Sequence, residues 1–352
     1  MKGRGEPGAP TFVDLFAGCG GLSLGFAQAG YTPLEAVELD PHAAATHSVN
    51  LGGNVFVGDI ADWLSCDPPR ADVVLGGPPC QGFSQLGRQD PADPRNELWR
   101  HYMEALRVVR PDFFVLENVP AFLTSQQFQS LRAETHRGGQ LSDWDIEEHV
   151  LDASLYGVPQ SRRRAVVVGR PKGMPPLGIP TPITEVLTVA DAIGSIDVHP
   201  QGTRLPDSTI DVLGLTVPGV FKMSDLHVTR SPTDLSLKRY KAIPPGGNRF
   251  DIPEELLAPC WRRHRSGSGD VMGRLRWDKP SVTIRTEFFK PEKGRYLHPE
   301  LHRPITHLEA ALLQSFPDDY LWCGTKTSIA RQIGNAVPPR LARAIAEHIS
   351  AV

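Results

Sequence analysis

Seven short strand-like runs, most of them apolar, alternate with stretches of helical spacing in the first half of the chain and constrain its fold more than any other feature. They fall at residues 11–17, 34–39, 55–57, 73–75, 113–116, 146–151 and 165–168. Between them, residues 22–29, the stretch from Pro41 and residues 98–109 carry apolar positions at helical intervals. Strands alternating with helices predict an α/β fold built on a doubly wound, mostly parallel sheet. Ligands of such sheets lie beyond the carboxyl ends of the strands. The residues that follow each run are therefore the candidates for chemistry.

Past about residue 171 the rhythm stops. Residues 171–182 are proline-rich, and no βα alternation returns before about residue 304. Residues 307–315 and 340–349 are helical again. A large first domain and a smaller, irregular second domain account for 352 residues. Residues 1–10 are polar and rich in Gly and Pro, and read as a flexible tail rather than a secretory signal; a cytoplasmic protein is expected. The apolar runs are strand-sized, so no membrane span is predicted. Five cysteines, odd in number and with no CxxC pair, argue against a disulfide framework and a zinc site, and no metal is expected. The net charge of −3 gives no global support to nucleic-acid binding, but residues 238–279 hold ten Lys/Arg against five Asp/Glu, enough for a local basic face.

Several clusters sit at the predicted strand ends. The turn Asp14-Leu15-Phe16-Ala17-Gly18-Cys19-Gly20-Gly21 lets a ligand approach the backbone at a helix N-terminus. It is not the GxGxxG of a pyrophosphate cradle. Glu38 ends the second run, where a carboxylate can accept from both ribose hydroxyls. Asp59 follows the third and can accept from an adenine amino group. Together they describe an adenosine pocket. After the fourth run comes Gly76-Gly77-Pro78-Pro79-Cys80-Gln81-Gly82-Phe83-Ser84, whose prolines stiffen the backbone just before one thiol. Glu117-Asn118-Val119 follows the fifth. Gln160-Ser161-Arg162-Arg163-Arg164 precedes the seventh, and strand alternation puts Arg162 and Arg164 on one face.

This set, in this order, resembles the DNA cytosine-5 methyltransferases of the compact bacterial type. Lys279-Pro280-Ser281-Val282-Thr283-Ile284, the block from Arg303-Pro304-Ile305-Thr306 to Gln314-Ser315-Phe316-Pro317, and Gln332-Ile333-Gly334-Asn335-Ala336-Val337-Pro338 extend the resemblance to about Ile349. It implies methyl transfer from S-adenosyl-L-methionine to carbon 5 of cytosine within a short sequence of double-stranded DNA. The implied nucleophile is Cys80, its thiolate favoured by Arg162 and Arg164. Glu117 would bond the ring at nitrogen 3 and the amino group, from a closed apolar pocket that keeps it protonated. The cytosine must flip out of the duplex, and residues 81–96 resemble the loop that closes over it. Cofactor contacts are implied for Asp14, Phe16, Gly18, Gly20, Gly21, Glu38, Asp59, Pro78, Leu98, Asn335 and Val337.

The resemblance also implies a discontinuous catalytic domain, residues 11–172 plus 323–352. Residues 173–322 form the small domain, with target recognition at about 173–272. Gln81, Ser84, Asn118, Arg262, Arg263, Arg265, Arg274 and Arg276 are the residues expected to face DNA. The expected molecule is a monomer without membrane contact, accompanied by a restriction endonuclease or defence system acting separately. A tRNA-methylating relative and a non-catalytic DNA-binding relative are the alternatives. A nicotinamide oxidoreductase lacks its phosphate cradle here and leaves Cys80 without a role.

Overall fold

The structure, a computed structural model, describes residues 8–79, 98–197, 199–263 and 266–352. Its centre is a seven-stranded sheet. The first half of the chain runs β1 (Thr11–Leu15), α1 (Gly21–Gln28), β2 (Thr32–Glu38), α2 (Pro41–Leu51), β3 (Asn54–Val57), α3 (Ile60–Leu64), β4 (Val73–Gly76), α4 (Leu98–Val109), β5 (Phe113–Asn118), α5 (Gln126–Glu134), β6 (Trp144–Asp152) and β7 (Arg163–Pro171). The order across the sheet is β3-β2-β1-β4-β5-β7-β6. β1 to β5 pair in parallel, and β7 is antiparallel to both β5 and β6. Every one of the seven runs becomes a strand. The strand order reverses between β1 and β4, which is where a crevice forms in such sheets.

Alternation along the strands divides their side chains between two faces. Val13, Leu15, Val74, Phe114, Leu116 and Val167 pack on one side with Tyr102, Met103 and Leu106 of α4. Phe12, Leu75, Val115 and Val166 pack on the other with Leu22 and Phe26 of α1. Because both faces are covered, the central strands read as nearly continuous apolar runs.

The remaining elements are α6 (Val189–Ile193), the hairpin β8 (Thr209–Val212) and β9 (Leu215–Pro218), α7 (Asp234–Ala242), α8 (Pro259–Arg263), α9 (His307–Leu313), α10 (Lys326–Asn335) and α11 (Pro339–Ser350). α11 returns to the sheet, burying Leu341, Ile345 and Ile349 beside α1. Gly25 makes this close packing possible, since a Cβ there would lie 2.4 Å from that of Ala342. A separate core joins Val189, Phe221, Ile284, Phe316, Trp322 and Ile333. Tyr240, Ile243, Ile252, Met272 and Leu297 form a small cluster of their own. Residues 326–335, which carry no helical expectation from the sequence, form α10, with Thr325 capping the backbone N–H of Ser328.

Candidate active site

At the end of β1 the chain turns sharply. Phe16 and Gly18 take left-handed backbone angles, with φ of 59° and 57°. The Ala17 N–H donates to Val37 O, and the Gly18 N–H donates to Glu38 Oε2 at 2.8 Å. Glu38 Oε1 accepts from the Asp40 N–H at 2.7 Å. Each Glu38 oxygen therefore keeps accepting capacity for a ligand. Burial pushes its carboxyl above the usual range. Asp59 caps α3 through Oδ1 and the Ala61 N–H at 2.9 Å.

These residues line a cavity of about 740 Å³ at the carboxyl ends of the strands, a volume suited to a small organic ligand. Asp14, Phe16, Gly18, Gly21, Glu38, Asp59, Pro78, Leu98, Asn335 and Val337 all lie on its wall. Gly20 does not. Its absent side chain leaves room for Leu51 and His47, which an added Cβ would meet at 2.8 and 2.9 Å, and its φ of 88° needs a glycine. The structure thus gives Gly20 a place in shaping the turn, beside Leu51 and His47. At Gly21 an added Cβ would lie 2.3 Å from Val337 O, so this glycine admits the C-terminal segment to the wall.

The second half of the site lies at the ends of β4, β5 and β7. Gly77, Pro78 and Pro79 line the cavity, and the chain then enters Cys80. Cys80, Gln81 and Ser84 lie outside the described residues, as does the loop 81–96. Glu117 pairs with Arg164, Oε1 to Nε at 2.8 Å, both side chains mostly buried. The sequence predicts an apolar surround for Glu117; the structure instead sets a guanidinium against it. Arg162 reaches the same cavity, and Arg163 points outward, as alternation requires. Arg162 is buried, with Nη1 donating to Ile284 O at 3.0 Å and Nη2 to Gly334 O at 2.9 Å. Its first structural task is to bind the C-terminal segments to the sheet.

Asn118, expected to face DNA, lines the same cavity but is mostly buried, its Nδ2 donating to Pro78 O at 3.0 Å and its Oδ1 accepting from the Val119 N–H. It ties β5 to the turn that leads into Cys80. Arg274 is a correction to the same expectation. It is 1% exposed, and its guanidinium donates to the carbonyls of Tyr240, Ile243, His298 and Leu301. No donor remains in position for a phosphate. Arg239 and Arg249 likewise donate to Leu256 O and Ser266 O, so the basic count of this stretch overstates its cationic surface. Arg262, Arg263 and Arg276 are exposed. Arg265 lies outside the described residues.

Sequence reasoning missed Leu39, which lines the cavity and is 67% exposed. An apolar residue directly after an acid at a strand end was the available signal. It named Gln160 within a motif but gave it no role. Its Nε2 donates to Gln314 Oε1 at 2.9 Å, and its Oε1 accepts from the Ile284 N–H at 2.9 Å. With Arg162, it locks three distant segments into one wall. Among the described residues no cluster of His, Cys, Asp or Glu is arranged to hold a metal, and no helix is long and apolar enough to cross a membrane.

Comparison with known proteins identifies the family. The family model described as C-5 cytosine-specific DNA methylase matches residues 10–351. Type II methyltransferase M1.HphI of Haemophilus parahaemolyticus is 36% identical over 96% of this chain and 86% of its own length. M.XorII of Xanthomonas oryzae pv. oryzae is 34% identical over 97% and 84%. Among solved structures, one described as a DNA modification methyltransferase encoded within an E. coli prophage superposes with a TM-score of 0.73 at 26% identity, covering 97% of this chain and 99% of that one.

Proposed function

The chain belongs to the C-5 cytosine-specific DNA methylases, and from that membership we propose that it methylates carbon 5 of a cytosine within a short sequence of duplex DNA, through a transient covalent bond to Cys80. The observation that carries this reading is the Glu117–Arg164 pair at 2.8 Å. It opens on the same cavity as Glu38 and Asp59, beside the Pro79 that precedes Cys80.

The donor set fits S-adenosylmethionine. Glu38 keeps free lone pairs for ribose hydroxyls, Asp59 keeps one oxygen for an adenine amino group, and Phe16 and Leu39 offer apolar contact. No phosphate cradle is needed. When bound, the cofactor supplies an electrophilic methyl group. Cys80 adds to carbon 6 of the cytosine, and the displaced ring electrons make carbon 5 nucleophilic. Glu117 holds the exocyclic amino group and a proton at ring nitrogen 3 while charge moves into the ring. Arg164 fixes the Glu117 rotamer, and Asn118 ties down Pro78, two residues before Cys80. Carbon 5 takes the methyl; its proton then leaves to a base and the bond to Cys80 breaks, which restores the aromatic ring. The cytosine must leave the stack for this to happen.

Residues 11–172 and 323–352 would form the catalytic domain, and residues 173–322 the small domain that selects the sequence. Arg262, Arg263 and Arg276 are among the exposed cations of this domain that can meet DNA. The names of the curated relatives, Type II methyltransferases, support a restriction-modification setting with a separate endonuclease, in the cytoplasm. One flipped base requires one enzyme molecule, so a monomer suffices.

The test is expression in a host lacking cytosine methylation, with methylated cytosines mapped at base resolution. Carbon-5 methylation confined to one short motif, and absent with Cys80→Ser, is expected. Methyl groups found in tRNA and not in DNA would overturn the reading.

A further inference from the structure

Among the described residues, Phe250 is the only aromatic side chain that is largely exposed, at 52%. A single exposed apolar residue needs no explanation by itself. This one is held in place. Its backbone N–H donates to Asn248 Oδ1 at 2.9 Å, and Asp251 Oδ2 accepts from the Asn248 N–H at 2.8 Å. The neighbouring Arg249 is buried; its backbone N–H donates to Val271 O and its guanidinium to Ser266 O. That guanidinium lies over the Phe250 ring, 4.7 Å from the centroid. One face of the ring is thus backed by an anchored cation, and the ring is otherwise open. The loop is tied to the cavity as well. Arg295 donates to Gly246 O at 2.9 Å. Tyr296, the next residue, donates to Thr283 O at 3.1 Å. The carbonyl after that, Ile284 O, accepts from Arg162 on the cavity wall. The loop that carries Phe250 is therefore braced against the segments that close the cavity. At Gly246, with φ of 71°, an added Cβ would lie 2.6 Å from Arg276 Nε, so this glycine lets the exposed Arg276 lie against the same loop.

An open aromatic face backed by a guanidinium is a platform on which a nucleobase can stack. Inside an intact duplex every base face is already covered by its neighbours. Faces become free only where a base leaves the stack, and the reaction proposed above requires one cytosine to leave. Resting on that reading, we infer that Phe250 enters the position vacated by the target cytosine and stacks on the bases beside the gap. An apolar wedge of this kind offsets the cost of unstacking. Arg276, against the same loop, supplies a positive charge for the phosphates next to the gap. The rigid backbone around Phe250 serves this task, because a wedge that is ordered before binding loses little freedom on insertion.

Binding by the full chain tests this, with S-adenosylhomocysteine present so that no methyl transfer occurs. Three duplexes are compared: one with the motif found by methylation mapping, one with an abasic site in place of the target cytosine, and one without the motif. Phe250→Ala should leave thermal stability unchanged. It should weaken binding to the first two duplexes about 5- to 150-fold, the equivalent of one lost base–aromatic stack, since both present a vacated position. The third duplex, from which no base is flipped, should be bound as the wild type binds it. Methylation by the variant, though slower at low DNA concentration, should stay on the wild-type motif. Four results overturn the inference and leave the methylation reading intact: no loss on any duplex, equal loss on all three, loss on the first but not on the abasic one, or a changed motif. A wild-type chain that methylates no cytosine in duplex DNA removes both.

Discussion

A single ion pair joins the ends of β5 and β7. Replacing Glu117 with Gln removes the group that holds the ring proton, and kcat should fall about 10²–10⁴-fold, measured with tritiated cofactor on duplex DNA. Asn118 works differently, because it acts on the Pro78 carbonyl. Asn118→Ala should lower kcat at least about tenfold through a misplaced thiol, with KM for DNA nearly unchanged; an equal rise in KM would mean that Asn118 touches DNA after all. Arg262→Ala with Arg263→Ala should leave thermal stability alone and reduce the salt dependence of DNA binding by about two counter-ions. Arg274→Ala strips four carbonyls of their donor and should cost about 3 kcal/mol or more in chemical denaturation. Triplet Arg162-Arg163-Arg164 and the arginines of the recognition region look alike in sequence. What separates an arginine that meets substrate from one that staples backbone is the set of carbonyls around it, and those come from segments 17 or more residues away.

At the scale of elements, strand periodicity was legible because each β-run is short, mostly apolar except for β6, and followed by glycine or an acid. α10 was not, since its sequence mixes Arg331, Gln332 and Asn335 with few apolar residues; it is helical because Ile329, Ala330 and Ile333 bury against Phe316 and Trp322. Glycines were half legible. Gly18 and Gly21 were expected for the ligand, but the tightest demand on Gly21 comes from Val337 O. Gly21→Ala should therefore cost about 1–3 kcal/mol and weaken cofactor binding together with stability. Stability lost without any change in binding would show that the C-terminal segment can shift without disturbing the wall.

Across the whole molecule, two distant stretches of chain make one pocket. Arg162, Gln160 and Gln314 carry the joint between the sheet and the segments around Ile284 and Gly334. Sequence could reveal that these motifs occur together and in order; it could not show that several of them hold each other rather than the substrate. The central claim is that Cys80 attacks carbon 6 of a cytosine in DNA, and trapping tests it most directly. Duplex DNA carrying 5-fluorocytosine lacks the carbon-5 proton that must leave, so the reaction should stall after methyl transfer. The account predicts a denaturation-resistant protein–DNA complex that forms only with S-adenosylmethionine, with the DNA attached to Cys80 by peptide mass spectrometry and no complex from Cys80→Ser. Attachment at another residue, or methyl transfer to ordinary DNA without any trapped complex, would contradict it.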